Sequence, residues 1–184
     1  MAVPPTPSKN ELRRTMRQAR AAYVAGLGAN RARLEAALAD VLAAHLGPGN
    51  VAAYRALGGE IDVGLDRVLA FPRVTDGALV FHRCGIADCA PGFAGIAEPP
   101  ATAPVVAPDI ILVPLVAVDA RGNRLGQGAG QYDRTLAALR ARRKVLAVGV
   151  AWDVQLVDAL PVDPWDAPLD ALATPSGWRD FAGR

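Results

Sequence analysis

The chain has few of the residues that mark a specialised class of protein. Of its 184 residues, two are cysteine and two are histidine. Two cysteines cannot build a disulfide framework, and Cys84 and Cys89 have no second Cys or His pair beside them for a zinc site. The longest apolar run, from Ile110 to Val118, contains Pro114 and is shorter than the roughly 20 residues of a membrane span. These absences exclude a disulfide scaffold and a membrane protein.

A surplus of one charge is also missing. The sequence has 20 basic and 18 acidic residues, a net charge of +2, whereas a nucleic-acid-binding protein needs a clear basic excess. Its first eight residues have no basic region followed by an apolar stretch, so we expect no signal peptide and a cytoplasmic location. Hydrophobic residues make up 52% of the chain. Its length suits one domain, which we place at residues 8–184 after a proline-rich, disordered lead-in at residues 1–7.

The spacing of apolar residues predicts alternating helices and strands. Ser8 and Glu11 have capping-box spacing, so a helix should begin at about Lys9. Further helices are predicted over Asn30–Leu46, Asp62–Ala70 and Tyr132–Arg142, and strands over Val51–Leu57, Ala78–Arg83, Asp109–Val118, Lys144–Ala151 and Leu169–Ala173. This alternation indicates an α/β fold with a mostly parallel sheet.

A glycine-rich segment follows the most apolar strand and precedes a predicted helix. Gly126, Gly128 and Gly130 alternate there, which lets the backbone bring its N–H groups close to an anion at the start of the helix. Arg124 and Arg134 flank the segment with full positive charges. The spacing matches neither the Rossmann nor the Walker pattern. The segment is suited to phosphate, although a glycine-rich turn without a ligand is an alternative.

Two further features point to the same kind of site. Lys9, Arg13, Arg17 and Arg20 are spaced to share one face of the first helix, from which they could reach a phosphate tail. A solvated helix face is the simpler interpretation of such a row. Glu60 follows a predicted strand, where it could lie at the edge of a site or belong to an ordinary loop.

Together these segments resemble the 5-formyltetrahydrofolate cyclo-ligase family, whose members are also called 5,10-methenyltetrahydrofolate synthetases. The similarity extends from Lys9 to about Thr174, and the segments follow the family's order. They are residues 9–13 (KNELR), 60–62 (EID), 95–99 (GIAEP), 109–114 (DIILVP), 122–126 (GNRLG) with 132–134 (YDR), 148–151 (VGVA), and 160–161 (LP) leading to Asp166. The resemblance implies a three-layer NagB/RpiA/CoA-transferase-like domain with helices on both faces of the sheet.

The resemblance also implies an activity. ATP and 5-formyltetrahydrofolate would give 5,10-methenyltetrahydrofolate, ADP and phosphate, with Mg²⁺ as cofactor. The partners would be small molecules only, without nucleic acid or membrane, and the protein would be a monomer. A folate- or nucleotide-binding relative without activity is one alternative, and an enzyme of the same fold acting on sugar phosphates or CoA esters is another.

Individual roles are implied by the matching positions. Lys9 and Arg124 would be catalytic, Arg55 and Glu60 would bind the folate, and Asp133 and Asp166 would bind the metal. Nucleotide contacts would come from Lys9, Arg13, Arg124, Leu125, Gly126, Gln127, Gly128, Ala129, Gly130, Gln131 and Tyr132. The chain departs from its relatives at Gln127 and Ala129, where some carry basic residues, at Gln131, where an aromatic residue is common, and at Arg55, where relatives can be apolar.

Overall fold

The structure is a computed structural model that describes residues 7–181. Residues 1–6 and 182–184 lie outside this description, and with them nearly all of the predicted lead-in at residues 1–7. Within the described part there are three α-helices, twelve strands and three short 3₁₀ turns. The helices are α1 (Lys9–Leu27), α2 (Asn30–His45) and α3 (Gln131–Arg140). None of them is long and apolar enough to cross a membrane.

The strands form one large sheet and two small ones. They are β1 (Val51–Ala52), β2 (Val68–Thr75), β3 (Ala78–Arg83), β4 (Ala90–Pro91), β5 (Ala97–Glu98), β6 (Ile110–Pro114), β7 (Ala117–Asp119), β8 (Arg124–Leu125), β9 (Leu146–Val150), β10 (Leu156–Val157), β11 (Ala171–Thr174) and β12 (Gly177–Asp180). The seven-stranded sheet has the order β12-β11-β9-β6-β1-β2-β3. Its five central strands are parallel, and β12 and β3 are antiparallel at the edges. The predicted mostly parallel sheet is confirmed.

Alternate side chains of the central strands pack on opposite faces of the sheet. Ile110 and Leu112 of β6 belong to one core with residues of α2, while Ile111 and Val113 belong to another core with Leu136 of α3. A strand buried on both faces is apolar throughout, which explains the continuous apolar run in the sequence. The predicted three-layer arrangement, with helices on both faces, is therefore confirmed.

The predicted helix over Asp62–Ala70 is wrong. Residues 62–67 form no regular element, and β2 begins at Val68 and continues through Pro72 to Thr75. A two-residue turn at Asp76 and Gly77, with φ of 49° and 77°, then returns the chain as β3. Such a turn is typical of Asp-Gly between two strands, and this signal outweighs the short helical spacing upstream.

The predicted strand over Asp109–Val118 is divided in two. β6 ends at Pro114, which has no N–H group to continue the ladder, and β7 begins at Ala117 in a separate sheet with β8 and β10. The predicted strand over Val51–Leu57 keeps regular pairing only at Val51 and Ala52. Both changes occur where the strands reach the same end of the large sheet, and they turn the following residues toward one space.

Candidate functional site

That space is a cavity of about 660 Å³ at the carboxyl ends of β1 and β6. Along the sheet, the chain runs from β1 to β2 on one side and from β6 through β9 to β11 on the other. The crevice between β1 and β6 is thus the point where the strand order reverses, which is the usual ligand site of open α/β sheets. All the residues assigned a role from the sequence line this cavity: Lys9, Arg13, Arg55, Glu60, Asp166, and residues 124–133.

The glycine-rich loop, residues 126–130, connects β8 to α3 and forms one wall of the cavity. Gly128 and Gly130 have φ of 111° and 65°, a region that residues with side chains rarely adopt. Among the described residues, no group accepts a hydrogen bond from the backbone N–H groups of residues 126–133. This run of free donors ends in the first turn of a helix, where the dipole favours an anion.

Arginines hold the carbonyl groups of the same loop. Arg13 of α1 donates to the Gly126 carbonyl at 2.9 Å. Arg17 donates to the carbonyl of Gln127 at 3.1 Å and to its side-chain oxygen at 2.7 Å, and Arg134 donates to the Ala129 carbonyl at 2.8 Å. Residues 126–130 carry no basic side chain, but these arginines place positive charge around the loop.

Arg124 is the most deeply placed cation of the site. Its side chain is only 3% exposed, and its guanidinium donates to Asp133 at 2.7 Å. It also lies 5.9 Å from the centre of the Tyr132 ring. Burial lowers the pKa of Arg124 and the charge of Asp133 partly offsets this, but an arginine remains cationic at any physiological pH. Its Nε is buried and has no hydrogen-bond partner among residues 7–181.

At the cavity, Lys9 connects the first helix to the acidic segment at residues 163–166. Its Nζ lies 2.7 Å from Asp163 and 2.5 Å from Asp166. Burial lowers the pKa of Lys9, but the hydrogen bonds to these two carboxylates and their charges outweigh it, so the pKa is raised overall. Asp163 was not among the predicted site residues, although its place beside Asp166 in an acidic segment made it a candidate for the same role.

The two carboxylates predicted to bind metal both face the cavity. The hydrogen bonds to Asp133 come from Arg124 and the Ala167 N–H and use only Oδ1, and those to Asp166 come from Lys9 and the Asp163 N–H and use only Oδ2. Each carboxylate therefore keeps one oxygen for another partner. Within residues 7–181 no group of three or more Asp, Glu, His or Cys side chains could hold a metal by itself. The donors fit Mg²⁺ that arrives with phosphate oxygens and keeps several waters.

Glu60 is held in a fixed position at the cavity. Its carboxylate accepts hydrogen bonds from the Leu57 N–H at 3.0 Å and the Gln127 amide at 3.2 Å. On either side, the Gly59 carbonyl accepts from the buried Trp152 indole and the Ile61 carbonyl accepts from the Tyr54 hydroxyl. A rigid acceptor of this kind suits the N–H groups of a flat heterocycle.

Two arginines extend the wall around Glu60. Arg55 lies over the Phe71 ring at 5.8 Å, and its buried Nε has no partner among the described residues. Arg20, which was not among the predicted site residues, is 8% exposed and also lines the cavity. Its position in the row of cations on α1 was visible in the sequence, but its proximity to Glu60 was not.

Comparison with known proteins agrees with this site. Residues 72–175, more than half of the chain, match the 5-formyltetrahydrofolate cyclo-ligase family. The chain belongs to this family. The matched region includes β6, β9 and β11, the glycine-rich loop, Asp133 and Asp166, whereas β1, Lys9, Arg20, Arg55 and Glu60 precede it.

Members of the cyclo-ligase family resemble the chain in sequence and in structure. It is 53% identical over 68 residues to the 5-formyltetrahydrofolate cyclo-ligase of Escherichia coli (strain K12), 37% of either protein. It is 46% identical over 79 residues to that of Haemophilus influenzae, 41% of this chain and 42% of the relative. These sequence matches thus span about two fifths of each relative. The 5,10-methenyltetrahydrofolate synthetase of Aquifex aeolicus superposes with a TM-score of 0.79 and 34% identity over 96% of this chain and 94% of that one.

Proposed function

We propose that this protein is a C–N bond-forming ligase that cyclises 5-formyltetrahydrofolate to 5,10-methenyltetrahydrofolate with ATP as co-substrate. The observation that carries the proposal is the run of backbone N–H groups at residues 126–133 that have no acceptor within residues 7–181, beside the buried Arg124. Phosphate groups are the ligands that such a loop and helix start bind best. The same cavity holds Glu60, a fixed carboxylate for the folate.

The reaction requires positioning and charge neutralisation more than covalent help from the protein. The oxygen of the formyl group attacks the γ-phosphorus, and the bond to ADP breaks. The folate N10 then attacks the activated carbon and loses its proton, and the bond from this carbon to oxygen breaks to release phosphate. The formyl oxygen therefore leaves in the phosphate, and the ring closes through the new C–N bond.

Each wall of the cavity has a role in these steps. The N–H groups of the loop, together with Arg13, hold the nucleotide phosphates. Arg124 and Lys9 neutralise the charge that spreads over the transferred phosphoryl group, and the burial of Arg124 strengthens its effect because little water competes. Leu125 and Tyr132 close the cavity around the nucleotide. Elsewhere in the cavity, Glu60 accepts hydrogen bonds from the pterin, and Arg55 contacts the folate.

Magnesium ions belong to the nucleotide in this proposal. Asp133 and Asp166 would hold Mg²⁺ through their remaining carboxylate oxygens. When bound, the ion neutralises charge on the phosphate oxygens. We further propose a monomeric protein of the cytoplasm that acts on small molecules and binds neither nucleic acid nor membranes.

A single assay tests the proposal. Purified protein with ATP, Mg²⁺ and 5-formyltetrahydrofolate should generate the ultraviolet absorbance of the methenyl product, and omission of ATP should abolish it. Asp133→Asn should shift the magnesium titration of this activity, while Asp180→Asn, at the far edge of the sheet, should not. Well-folded protein that binds the folate in a calorimeter but forms no product at any ATP concentration would contradict the proposal and favour a binding protein without activity.

A further inference from the structure

Arg20 is a buried cation to which the proposed reaction assigns no role. It lies on α1 with a side chain 9% exposed and lines the cavity beside Glu60. Among residues 7–181, no atom accepts a hydrogen bond from it, and its buried NH1 has only the carboxylate of Glu60 nearby, outside hydrogen-bond distance. A guanidinium carries five N–H donors, and buried donors in folded proteins are almost always satisfied. An acceptor that belongs to a ligand would satisfy this one.

The neighbouring carboxylate of Glu60 does not accept a hydrogen bond from Arg20. Arg20 NH1 and Glu60 Oε1 are 3.8 Å apart, beyond hydrogen-bond distance. Glu60 is already held by the Leu57 N–H and the Gln127 amide, and Arg31 donates to its main-chain carbonyl at 3.3 Å. Arg20 is therefore not needed to orient Glu60, and its guanidinium lies beside a carboxylate that other groups hold in place.

Arg20 and Glu60 together present hydrogen-bond donors and acceptors in a fixed order to the cavity. The two oxygens of Glu60 are acceptors, and the guanidinium beside them is a donor. One edge of a pterin carries the complementary order: the 2-amino group and N3–H are donors, and the adjacent 4-oxo oxygen is an acceptor. We propose that Arg20 donates a hydrogen bond to the 4-oxo oxygen of the pterin while Glu60 accepts from its N3–H and 2-amino groups. This inference rests on the proposed function, because it takes a folate as the ligand of the cavity.

The pattern makes Arg20 a determinant of specificity. A site with a buried donor for the 4-oxo group rejects a 4-amino analogue, because the analogue leaves Arg20 without an acceptor and places one donor against another. A residue that only stabilised the wall would affect both ligands alike. The preference for the 4-oxo ligand over the 4-amino ligand is therefore the quantity that separates the two roles.

The test measures dissociation constants of 5-formyltetrahydrofolate and its 4-amino-4-deoxy analogue by calorimetry, without ATP. We expect wild-type protein to prefer the 4-oxo compound and Arg20→Met to lose at least about tenfold of that preference, because the variant removes a hydrogen bond from a charged donor. Arg20→Lys retains a cationic donor and should recover part of the loss. Arg14→Met is the matched control, because Arg14 lies exposed on the same helix, outside the cavity lining, and should not change the preference.

Each outcome decides the question. If Arg20→Met weakens both ligands equally, Arg20 has a structural role and the inference is overturned, while the proposed function stands. If wild-type protein binds neither folate, both fail together. Should Arg20→Met not fold, as judged by circular dichroism, Arg20→Lys alone suffices, because an unchanged preference in a variant with a shorter, non-planar donor would contradict a fitted hydrogen bond.

Discussion

At the scale of single residues, Arg124 is the cation on which nucleotide use should depend most. We expect Arg124→Ala to raise the KM for ATP and to reduce kcat/KM by about 100-fold or more, the usual loss when a buried group that stabilises transition-state charge is removed. Arg124→Lys should retain part of the activity, because it keeps the charge but not the planar fork. Steady-state kinetics at varied ATP measures both.

The control for Arg124 is another arginine of the same chain. Arg142 lies exposed just beyond the end of α3, and Arg142→Ala should leave the kinetics near those of the wild type. An equal loss in both variants would indicate a general effect of charge on the protein. An unchanged ATP dependence in Arg124→Ala would mean that Arg124 does not contact the nucleotide.

The pKa of Lys9 predicts a pH dependence of stability. Because this pKa is raised in the folded protein, the ion pairs of Lys9 contribute fully below the ordinary value of 10.5 and are lost as pH rises through the folded value. We expect Lys9→Met to lower the free energy of unfolding by about 1 kcal/mol at about pH 8. That difference from wild type should shrink at about pH 11. Urea titrations at both pH values measure it.

Lys144 provides the control, since it is the only other lysine in the chain and is exposed. Lys144→Met should change the free energy of unfolding little at either pH. A difference for Lys9→Met that is the same at both pH values would show that packing of the Lys9 side chain, and not its charge, stabilises the fold.

At the scale of elements, the glycine-rich loop should respond unequally to alanine at two of its positions. Gly128 has φ of 111°, so alanine there is strained by about 1 kcal/mol or more. At Gly126 the backbone is not in the left-handed region, and an added Cβ would have only an ordinary contact, 3.5 Å from Arg124. We expect the KM for ATP to rise several-fold more in Gly128→Ala than in Gly126→Ala. Equal effects would mean that loop conformation does not control nucleotide binding.

Elements with a strong local signal were predictable from the sequence. The capping box of Ser8 and Glu11 starts α1 as expected, and the start of α2 at Asn30 agrees with the prediction. The region after Gly58 was not predictable from helical spacing, because pairing with β1 and β3 makes Val68–Thr75 a strand. The Asp-Gly turn at residues 76–77 was the local signal that could have corrected it.

Some features of the candidate site were likewise predictable from the sequence, and others were not. The loop and its flanking Arg124 and Arg134 are close in sequence, so their chemistry could be inferred from spacing. By contrast, the approach of Arg20 to Glu60 joins residues 40 positions apart, and that of Lys9 to Asp166 joins the first helix to the last part of the chain. These contacts depend on how the sheet brings its carboxyl ends together, which spacing along the chain does not encode.

At the scale of the whole molecule, the cavity connects parts that are far apart in sequence. The row of cations on α1 and the acidic segment at residues 163–166 meet at Lys9, so the net charge of +2 conceals a separation of opposite charges across one cavity. A magnesium nucleotide bound there would contact both sides. Ligand binding should therefore stabilise the fold as a unit and not only the loop.

The coupling between ligand binding and the stability of the whole fold can be measured by unfolding experiments. We expect a single cooperative unfolding transition in urea, coincident by far-ultraviolet circular dichroism and by tryptophan fluorescence, because buried Trp152 lies in the core between the sheet and α2. ATP with Mg²⁺ at about 100 times its dissociation constant should add about 2.7 kcal/mol to the free energy of unfolding. Asp166→Asn should reduce the part of this gain that depends on magnesium. Two separate transitions would contradict a single domain over residues 8–184, and a gain confined to one of them would show which part binds the nucleotide.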